Sequence, residues 1–406
     1  MTTTMPYREA RAVLLAAAEP VGTEKLALSA CAGRVLAQRL TAACDVPPFD
    51  RSAFDGYVLR EEDTRGASRE HPVTLRILEE IPASCVPRCA LDPGEASKIL
   101  TGAPIPTGGD AVVPYERTDF TEHEVTLYAP LRQGENIVRK GEDVRLGAVL
   151  AEPGQRIDAG LMGSLAAQNV AEPLVFRRPR IGILSTGSEL TEPGQPLLPG
   201  RIHDTNRYSL LALLARLGAE PVLFDSVPDR LDEIEAAMDR ALSSCDALIT
   251  TGGVSVGDYD LTPAAQKAIG AEILFRGVDL KPGMACCYAR RDGKLLCGLS
   301  GSPASSLTNL YVVALPALRR LCGLRECETK EFPVTLTEDF GKKSPMNRLL
   351  RGFSDLRDGT VRLILSSGQG NVKLSGLVGC DLAAMIPAGS GPVKAGTVLQ
   401  GFFLAP

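Results

Sequence analysis

The segment with the clearest chemical potential runs from residue 246 to residue 260 and reads DALITTGGVSVGDYD. A short apolar run ends in glycines and small hydroxyl residues, and the segment closes on Asp258 and Asp260. Glycines allow backbone N–H groups to approach an anion closely, and a following helix N-terminus favours negative charge. Because two carboxylates would repel a bare phosphate, the pattern predicts a magnesium ion between acid and phosphate. A tight structural turn is the alternative, since the segment has neither the P-loop ending nor G-x-G-x-x-G spacing.

Further segments combine turn residues with charged or hydroxyl groups. Lys281 stands directly before Pro282 and Gly283, and a cation fixed at a turn suits a phosphate or another oxyanion. Each segment also has a plainer interpretation as a solvated turn or shaped loop. The remaining candidates are the turn with Asp50 and Asp55, the Gly/Pro-rich stretch 99–110 with Thr101, the charged stretch 134–143 with Asp143, and the helix start 300–303.

Composition narrows the chemistry. The three histidines, at 71, 123 and 203, have neither catalytic nor zinc-binding context. A net charge of −5 with scattered basic residues indicates no nucleic-acid partner, and no apolar run is long enough to cross a bilayer. Eleven cysteines without a secretory signal predict free thiols in the reducing cytoplasm. The remaining acids, hydroxyls, N–H groups and few cations suit phosphoryl or nucleotidyl chemistry with a divalent metal.

Strand and helix patterns alternate after residue 180, which predicts a doubly wound parallel sheet. Ligands on such sheets bind at the carboxyl ends of strands, near the topological switch point. Two Gly-rich loops, 185–189 and 251–260, directly follow strands, and this strengthens the prediction of an anion site. The strand runs are 181–184, 221–224 and 247–250, and the helical patterns are 208–217 and 230–243, the second with Asp229 as its expected N-cap.

The rest of the chain has shorter elements. Helical patterns at 8–19 and 29–37 open it, and a β-rich segment with Gly/Pro turns follows from about residue 47 to 130. Asp292-Gly293 predicts a hairpin turn. From residue 331 onward, short strands and turns predict an all-β tail domain.

Taken together and in order, these segments resemble the molybdopterin molybdenumtransferase family, which includes bacterial MoeA and the E domain of gephyrin-like proteins. The match spans about residues 45 to 380, and its specificity comes from the ordered set, since no single motif is decisive. The matching segments are PPFDRSAFDGY, ILTGAPIPTGGDAVVPYE, GENIVRKGED, IGILSTGSEL, HDTN, TTGGVSVGDYD, LKPG and SSGQGNVKLSGL.

The resemblance implies a multidomain α/β plus β protein. Family members are homodimers whose site lies between the α/β and C-terminal domains of one subunit and the small β domain of the other. Contacts with other proteins of cofactor biosynthesis are also compatible with the family. The implied parts are a discontinuous elongated linker domain (1–45 and 135–177), a small β domain (46–134), a central doubly wound molybdopterin-binding α/β domain (178–323) and a C-terminal β-barrel-like domain (328–406).

The implied reaction inserts molybdate into adenylylated molybdopterin and releases AMP, with Mg²⁺ required. Molybdate is a tetrahedral dianion, so Lys, Arg and hydroxyl groups are its expected partners. By position, the resemblance assigns catalytic roles to Asp55, Thr101, Asp143, Glu189, Asp246 and Lys281. It assigns substrate contacts to Gly252, Gly253, Ser255, Gly257, Asp258, Lys281, Pro282, Ser302, Ser305, Arg348 and Ser375, and metal ligation to Glu189, Asp258 and Asp260.

The chain departs from the family pattern at several positions near the implied site. Met284 replaces the second lysine of Lys-Pro-Gly-Lys, and Gly277 stands where some members carry a lysine. The usual Pro-Gly-Asn-Pro is Ser300-Gly-Ser-Pro303 here, and Arg51 replaces the asparagine of Phe-Asp-Asn-Ser. Each lost cation could cost on the order of 1–3 kcal/mol of substrate binding. Two other functions therefore stay open: a non-catalytic carrier of molybdopterin or its adenylate, and an adenylyltransferase that makes the adenylate. Tungstate could also replace molybdate.

Overall fold

The computed structural model describes residues 4–255 and 261–404. The chain divides into two compact units, each described separately below. The domain boundaries given above stay predictions. The larger unit comprises Met1–Gln38, Pro153–Asp158 and Glu172–Pro406, and the smaller unit comprises Arg39–Glu152 and Ala159–Ala171.

A six-stranded sheet forms the centre of the larger unit. Its first four strands are parallel and its last two are antiparallel to their neighbours, which confirms the predicted doubly wound arrangement with an antiparallel edge. From Arg180–Ser185 the chain first adds a strand on one side and then on the other, so the topological switch point lies beside this strand. The order across the sheet is Glu220–Leu223, Arg180–Ser185, Ala247–Thr251, Lys294–Leu299, Cys286–Arg291 and Glu272–Arg276.

Helices cover both faces of this sheet because side chains alternate along each strand. Ile181 and Ile249 belong to the core of one face, whereas Leu184 and Leu248 belong to the core of the other. The helix Asn206–Leu217 ends at Gly218, whose φ of 100° is the left-handed conformation that glycine accepts most readily at a helix end. The first face carries Tyr7–Ala16, Asn206–Leu217, Pro303–Asn309, the π-helix Leu310–Ala314 and Leu315–Leu321, and the second carries Leu231–Ser244 and Thr262–Ala268.

A closed five-stranded barrel forms the C-terminal part of the larger unit, as predicted. It closes because Asn347–Arg357 pairs with strands on both of its sides. Leu280–Lys281 adds a short parallel strand to the same Asn347–Arg357 strand. The barrel strands are Phe332–Leu336, Asn347–Arg357, Thr360–Leu365, Leu382–Ile386 and Val398–Phe403. Shorter elements of this unit are Thr23–Lys25, Leu174–Phe176, Leu190–Thr191, Ile202–His203 and the 3₁₀ turns Leu28–Ala30 and Ser375–Leu377.

The smaller unit is built on a second six-stranded sheet around a core that includes Tyr57, Val113 and Leu127. Its short strands agree with the β-rich segment predicted from about residue 47 to 130. The sheet order is Ala111–Pro114, Gly56–Leu59, Glu95–Ile99, Val73–Ile81, Glu124–Leu127 and Thr118–Phe120. The remaining elements are Leu40–Thr41, Arg51–Ser52, Ile137–Val138, Val149–Ala151, the helix Ala159–Ala167 and the 3₁₀ turns Glu61–Thr64 and Tyr115–Arg117.

Two local predictions are wrong and one is confirmed. The expected helix at 29–37 does not form, because Gly33 takes a φ of 72° and Val35 pairs with Arg156 in a β-bridge. Asp229 is not the N-cap of the next helix, which starts at Leu231 without a side-chain cap. The Asp292-Gly293 hairpin turn is confirmed, since both residues have positive φ between antiparallel strands. No helix of the described ranges is long and apolar enough to cross a membrane.

Candidate functional site

A cleft of about 270 Å³ opens in the larger unit, where the chain leaves the strands Arg180–Ser185 and Ala247–Thr251. The Thr186 N–H donates to the Thr251 carbonyl at 2.8 Å and joins the two strand ends. Both loops therefore lie at the switch point, where open α/β sheets bind ligands. Of the predicted site residues, Glu189, Gly252 and Gly253 line this cleft.

Two residues of the cleft lining, Asp204 and Asn206, carry buried oxygen atoms without a partner among the described residues. Asp204 is only 4% exposed, and its Oδ2 has no hydrogen-bond partner among the described residues. The neighbouring Asn206 carboxamide donates to the Gly301 carbonyl at 2.8 Å, but its buried Oδ1 is unpartnered within the same ranges. Glu189 and Asp229 add two more carboxylates to the lining. Such oxygens are the ligands that Mg²⁺ prefers, so these residues have the chemistry for part of a magnesium site.

Part of the predicted metal site lies outside the described residues. Gly257, Asp258 and Asp260 belong to that part, so only Glu189 of the predicted ligands has a described position. Within 4–255 and 261–404, no three His, Cys, Asp or Glu side chains form a group that could hold a metal ion unaided. A magnesium ion would therefore need ligands beyond the carboxylates of the described cleft.

The geometry of the Gly-rich loop has a packing cause. Gly252 has a φ of 102°, and an added Cβ would lie 2.4 Å from the Thr186 carbonyl oxygen. Its N–H donates to the Leu299 carbonyl at 3.0 Å and is therefore not free for a phosphate. The Thr262 hydroxyl donates its proton to the Gly252 carbonyl at 3.0 Å, so that proton is not free for a phosphate either. Among the predicted cradle residues, Gly253 and the exposed Ser255 donate no hydrogen bond to a described residue.

The Lys281 loop follows the strand Glu272–Arg276. The carboxyl end of this strand lies at the same edge of the sheet as the Gly-rich loop. The Lys281 side chain is exposed and makes no ion pair with a described residue, whereas Pro282 is buried. Gly283 packs on the helix Pro303–Asn309, where an added Cβ would lie 3.3 Å from the Ser305 carbonyl oxygen. Ser302 stands at the start of that helix. Lys281, Ser302 and Ser305 are therefore close in the fold around one helix.

Two buried arginines of the barrel differ in what they contact. The predicted Arg348 donates to the Ser344 hydroxyl at 3.1 Å, lies over the Phe340 ring, and has its pKa lowered by burial. Arg351 is 1% exposed and donates to the Gly368 carbonyl at 2.9 Å and the Thr308 hydroxyl at 3.4 Å. Thr308 belongs to the helix of Ser305, so Arg351 is the arginine tied to that helix. The predicted Ser375 is exposed in the turn Ser375–Leu377.

Asp246 is not brought to this cleft. It precedes the strand Ala247–Thr251, whose opposite end bears the Gly-rich loop. Its carboxylate accepts from Arg177 at 2.7 and 3.0 Å and from the Arg180 N–H at 2.7 Å. The hydrogen bonding between the Arg177 guanidinium and this carboxylate raises the Arg177 pKa. Asp246 therefore anchors the start of this strand, and its assignment as a catalytic residue stays a prediction.

In the smaller unit, Asp55 and Thr101 form a pair as expected from their motifs. The Asp55 carboxylate accepts from the Thr101 N–H at 2.6 Å and from its hydroxyl at 2.7 Å. These hydrogen bonds, the backbone one first, lower the Asp55 pKa below its usual value. Asp143 is exposed, and its N–H donates to the Val46 carbonyl at 3.0 Å. The Asp55 carboxylate is thus fixed and ionised at the unit surface.

Sequence reasoning missed four residues that the fold places at or beside these segments: Asp204, Asn206, Asp229 and Arg351. Asp204 and Asn206 belong to the HDTN motif, which was recognised but not assigned roles. Asp229 was interpreted as a helix cap, yet its Oδ2 accepts from the Ser188 N–H at 3.2 Å in the loop beside Glu189. The position of Asp229 in the loop after the predicted strand 221–224 was the signal that could have identified it.

An acid-lined cleft at the switch point of a doubly wound sheet, with a Gly-rich turn in its lining, defines an α/β protein with a candidate ligand site where this fold binds ligands. Comparison with known proteins narrows this class. The family model of the MoeA N-terminal region (domain I and II) matches residues 5–168, and that of the probable molybdopterin binding domain matches residues 182–320. The chain belongs to the molybdopterin molybdenumtransferase family.

Individual relatives agree with this assignment. The molybdopterin molybdenumtransferase of Staphylococcus epidermidis RP62A is 35% identical over 368 residues, which cover 91% of this chain and 88% of that protein. The molybdopterin molybdenumtransferase of Staphylococcus aureus Mu50 is 35% identical over 371 residues, with 91% and 88% coverage. A crystal structure of the molybdopterin biosynthesis MoeA protein from Pyrococcus horikoshii OT3 matches 99% of this chain and 100% of that one, with a TM-score of 0.84 at 29% identity.

Proposed function

We propose that this protein is a molybdopterin molybdenumtransferase that takes adenylylated molybdopterin and molybdate, inserts the metal and releases AMP. The observation that carries the proposal is the switch-point cleft, where Asp204 and Asn206 present buried oxygens without described partners beside the Gly-rich turn. Unsatisfied buried oxygens are costly unless a ligand or ion completes them. The family membership gives the ligand class.

We further propose that Mg²⁺ works in this cleft. Asp204, Asn206 and Glu189 would hold the ion, with Asp258 and Asp260 contributing according to the sequence pattern. When bound, the ion supplies the positive charge that offsets repulsion between a diphosphate and these carboxylates. The carboxylates themselves orient the ion and exclude a bare phosphate.

Molybdate would be bound by cations outside the acidic wall. Lys281 carries a charge that no described carboxylate neutralises, and Arg351 is a buried guanidinium that donates only to carbonyl and hydroxyl oxygens among its described hydrogen bonds. An uncompensated buried cation favours a neighbouring anion strongly. Burial lowers the pKa of the Arg351 guanidinium, because its charged form loses solvation.

The test uses purified protein with adenylylated molybdopterin, MgCl₂ and molybdate, and measures AMP by chromatography. We expect AMP release that depends on molybdate and stops when EDTA removes the cation. The matched pair is Asp204→Asn, which changes the oxygen without a described partner, and Asp239→Asn, an exposed acid on the helix Leu231–Ser244. AMP release that is equal in both variants would contradict the role of the cleft.

A second candidate is a non-catalytic carrier, and Met284 favours it. This side chain is 48% exposed at the position where the family usually has a lysine. Tight binding of adenylylated molybdopterin without AMP release, under conditions where a catalytic relative turns over, would establish the carrier. Release of AMP above the uncatalysed rate would eliminate it.

We also propose that the protein is a homodimer, in which Asp55 and Thr101 of one subunit complete the cleft of the other. Two separately impaired variants, Asp55→Ala and Lys281→Met, test this arrangement. After subunit exchange of equal amounts, half the dimers would be mixed and would carry one intact site each, which restores about a quarter of wild-type activity. A mixture no more active than its components would refute a shared site.

The eleven free cysteines, all within the described ranges, support a reducing cytoplasmic location.

A further inference from the structure

The helix Pro303–Asn309 and the residues just before it are tied by side-chain hydrogen bonds to three elements that carry proposed site residues. Asn206 donates to the Gly301 carbonyl at 2.8 Å, just before the helix. Arg351 donates to the Thr308 hydroxyl at 3.4 Å. Asn309 donates from Nδ2 to the Gly283 carbonyl at 2.7 Å, in the loop that begins with Lys281. The third contact is the shortest, and both of its partners are buried.

Asn309 is held in one orientation by its surroundings. The Gly283 carbonyl can only accept a hydrogen bond, so the nitrogen of the carboxamide faces it. The carboxamide oxygen accepts from the Tyr288 hydroxyl, which is fully buried. Cys286 lies next to the carboxamide, and burial raises the pKa of its thiol to about 12, so this thiol is uncharged at neutral pH.

Gly283 packs closely against the helix. It has a φ of 110°, and an added Cβ would lie 3.3 Å from both the backbone nitrogen of Asn309 and the Ser305 carbonyl oxygen. The loop backbone therefore rests directly on the helix. In contrast, the Lys281 side chain two residues earlier is exposed and makes no ion pair with a described residue. Its direction is set by the backbone that Asn309 holds.

We infer that Asn309, supported by Tyr288, is a positioning residue that fixes the Lys281-Pro282-Gly283 loop so that the Lys281 ammonium is preorganised for a tetrahedral oxyanion. This inference rests on the proposed function for its substrate, molybdate. A preorganised cation loses less conformational freedom on binding than a free lysine side chain. Loss of the anchor weakens oxyanion binding and leaves the adenylate end of the cleft unchanged.

The test compares Asn309→Leu, which removes both hydrogen bonds at similar volume, with Tyr288→Phe, which removes only the supporting hydroxyl. Ser306→Ala is the matched control, because this buried hydroxyl on the same helix has no described partner. We expect the KM for molybdate to rise about tenfold in Asn309→Leu and about threefold in Tyr288→Phe. The kcat at saturating molybdate and the affinity for adenylylated molybdopterin should stay within about twofold in all three variants.

A double variant shows whether Asn309 acts through Lys281. Adding Asn309→Leu to Lys281→Met should raise the molybdate KM no further, since the group to be positioned is gone. The inference is overturned if the two substitutions raise the molybdate KM by factors that multiply. It is also overturned if kcat and the affinity for the adenylate fall as much as the affinity for molybdate. Amide hydrogen exchange over residues 277–286 gives a readout independent of activity. Exchange should be faster in Asn309→Leu than in Ser306→Ala; unchanged exchange also overturns the inference. If the wild-type protein releases no AMP, the proposed function fails, and hydrogen exchange still decides the anchor.

Discussion

Replacing Gly252 by alanine tests the close contact that shapes the cleft. The residue has a φ of 102°, and the new Cβ would lie 2.4 Å from the Thr186 carbonyl oxygen and 2.7 Å from its Oγ1. The left-handed conformation alone costs alanine roughly 1–2 kcal/mol. Relief of the contact must also move the Thr186 loop and weaken its 2.8 Å hydrogen bond to Thr251, at about 1 kcal/mol more.

Gly270 provides the matched control. Its φ of 79° is also left-handed, but an added Cβ would meet nothing within 4 Å. Gly270→Ala should therefore lower the free energy of unfolding by only the roughly 1–2 kcal/mol of the left-handed conformation, against about 2–3 kcal/mol for Gly252→Ala. Urea unfolding followed by circular dichroism measures both values. Equal losses would refute the view that close approach, rather than φ alone, requires glycine at position 252.

Three further predictions follow from individual contacts. Asp246→Asn should lower the free energy of unfolding by about 1–3 kcal/mol, because it weakens the hydrogen bonds from Arg177. AMP release should stay within about twofold of wild type. A large loss of turnover at unchanged stability would instead support a catalytic role for Asp246. Met284→Lys should lower the KM for molybdate about fivefold, since it adds a cation at an exposed position of the Lys281 loop. Thr101→Val should raise the Asp55 pKa towards its usual value in an NMR titration. Because the folded pKa is lowered, the stability from this pair is present above the unfolded pKa and is lost as pH falls through the folded one.

The fold could be predicted largely from the sequence because its periodic elements are strong. The runs at 181–184 and 247–250 are apolar, bounded by turns and separated by helical spacing, and they form neighbouring parallel strands. The helix expected at 29–37 does not form, although the local pattern predicts it. Gly33 and long-range pairing of Val35 with Arg156 outweighed that local pattern.

The candidate site was less predictable because several of its residues depend on tertiary contacts. Nothing in the sequence distinguishes Arg348 from Arg351, three positions apart on one strand; only the barrel shows that Arg351 reaches Thr308. The anchor formed by Asn309 was also invisible, since its partners Tyr288 and Gly283 are more than twenty positions away. Local spacing cannot report such contacts.

The surroundings of Asp246 and Asp229 differ because of the direction of a parallel strand. Both acids lie near strands of the central sheet, and a carboxylate there has two distinct environments. At the amino end, Asp246 meets the Arg177 guanidinium and stabilises the start of the sheet. After the carboxyl end, Asp229 meets the Ser188 N–H and lines the cleft. Because ligands bind at carboxyl ends, an acid that precedes a strand should be assigned to structure first and an acid that follows one to the site first.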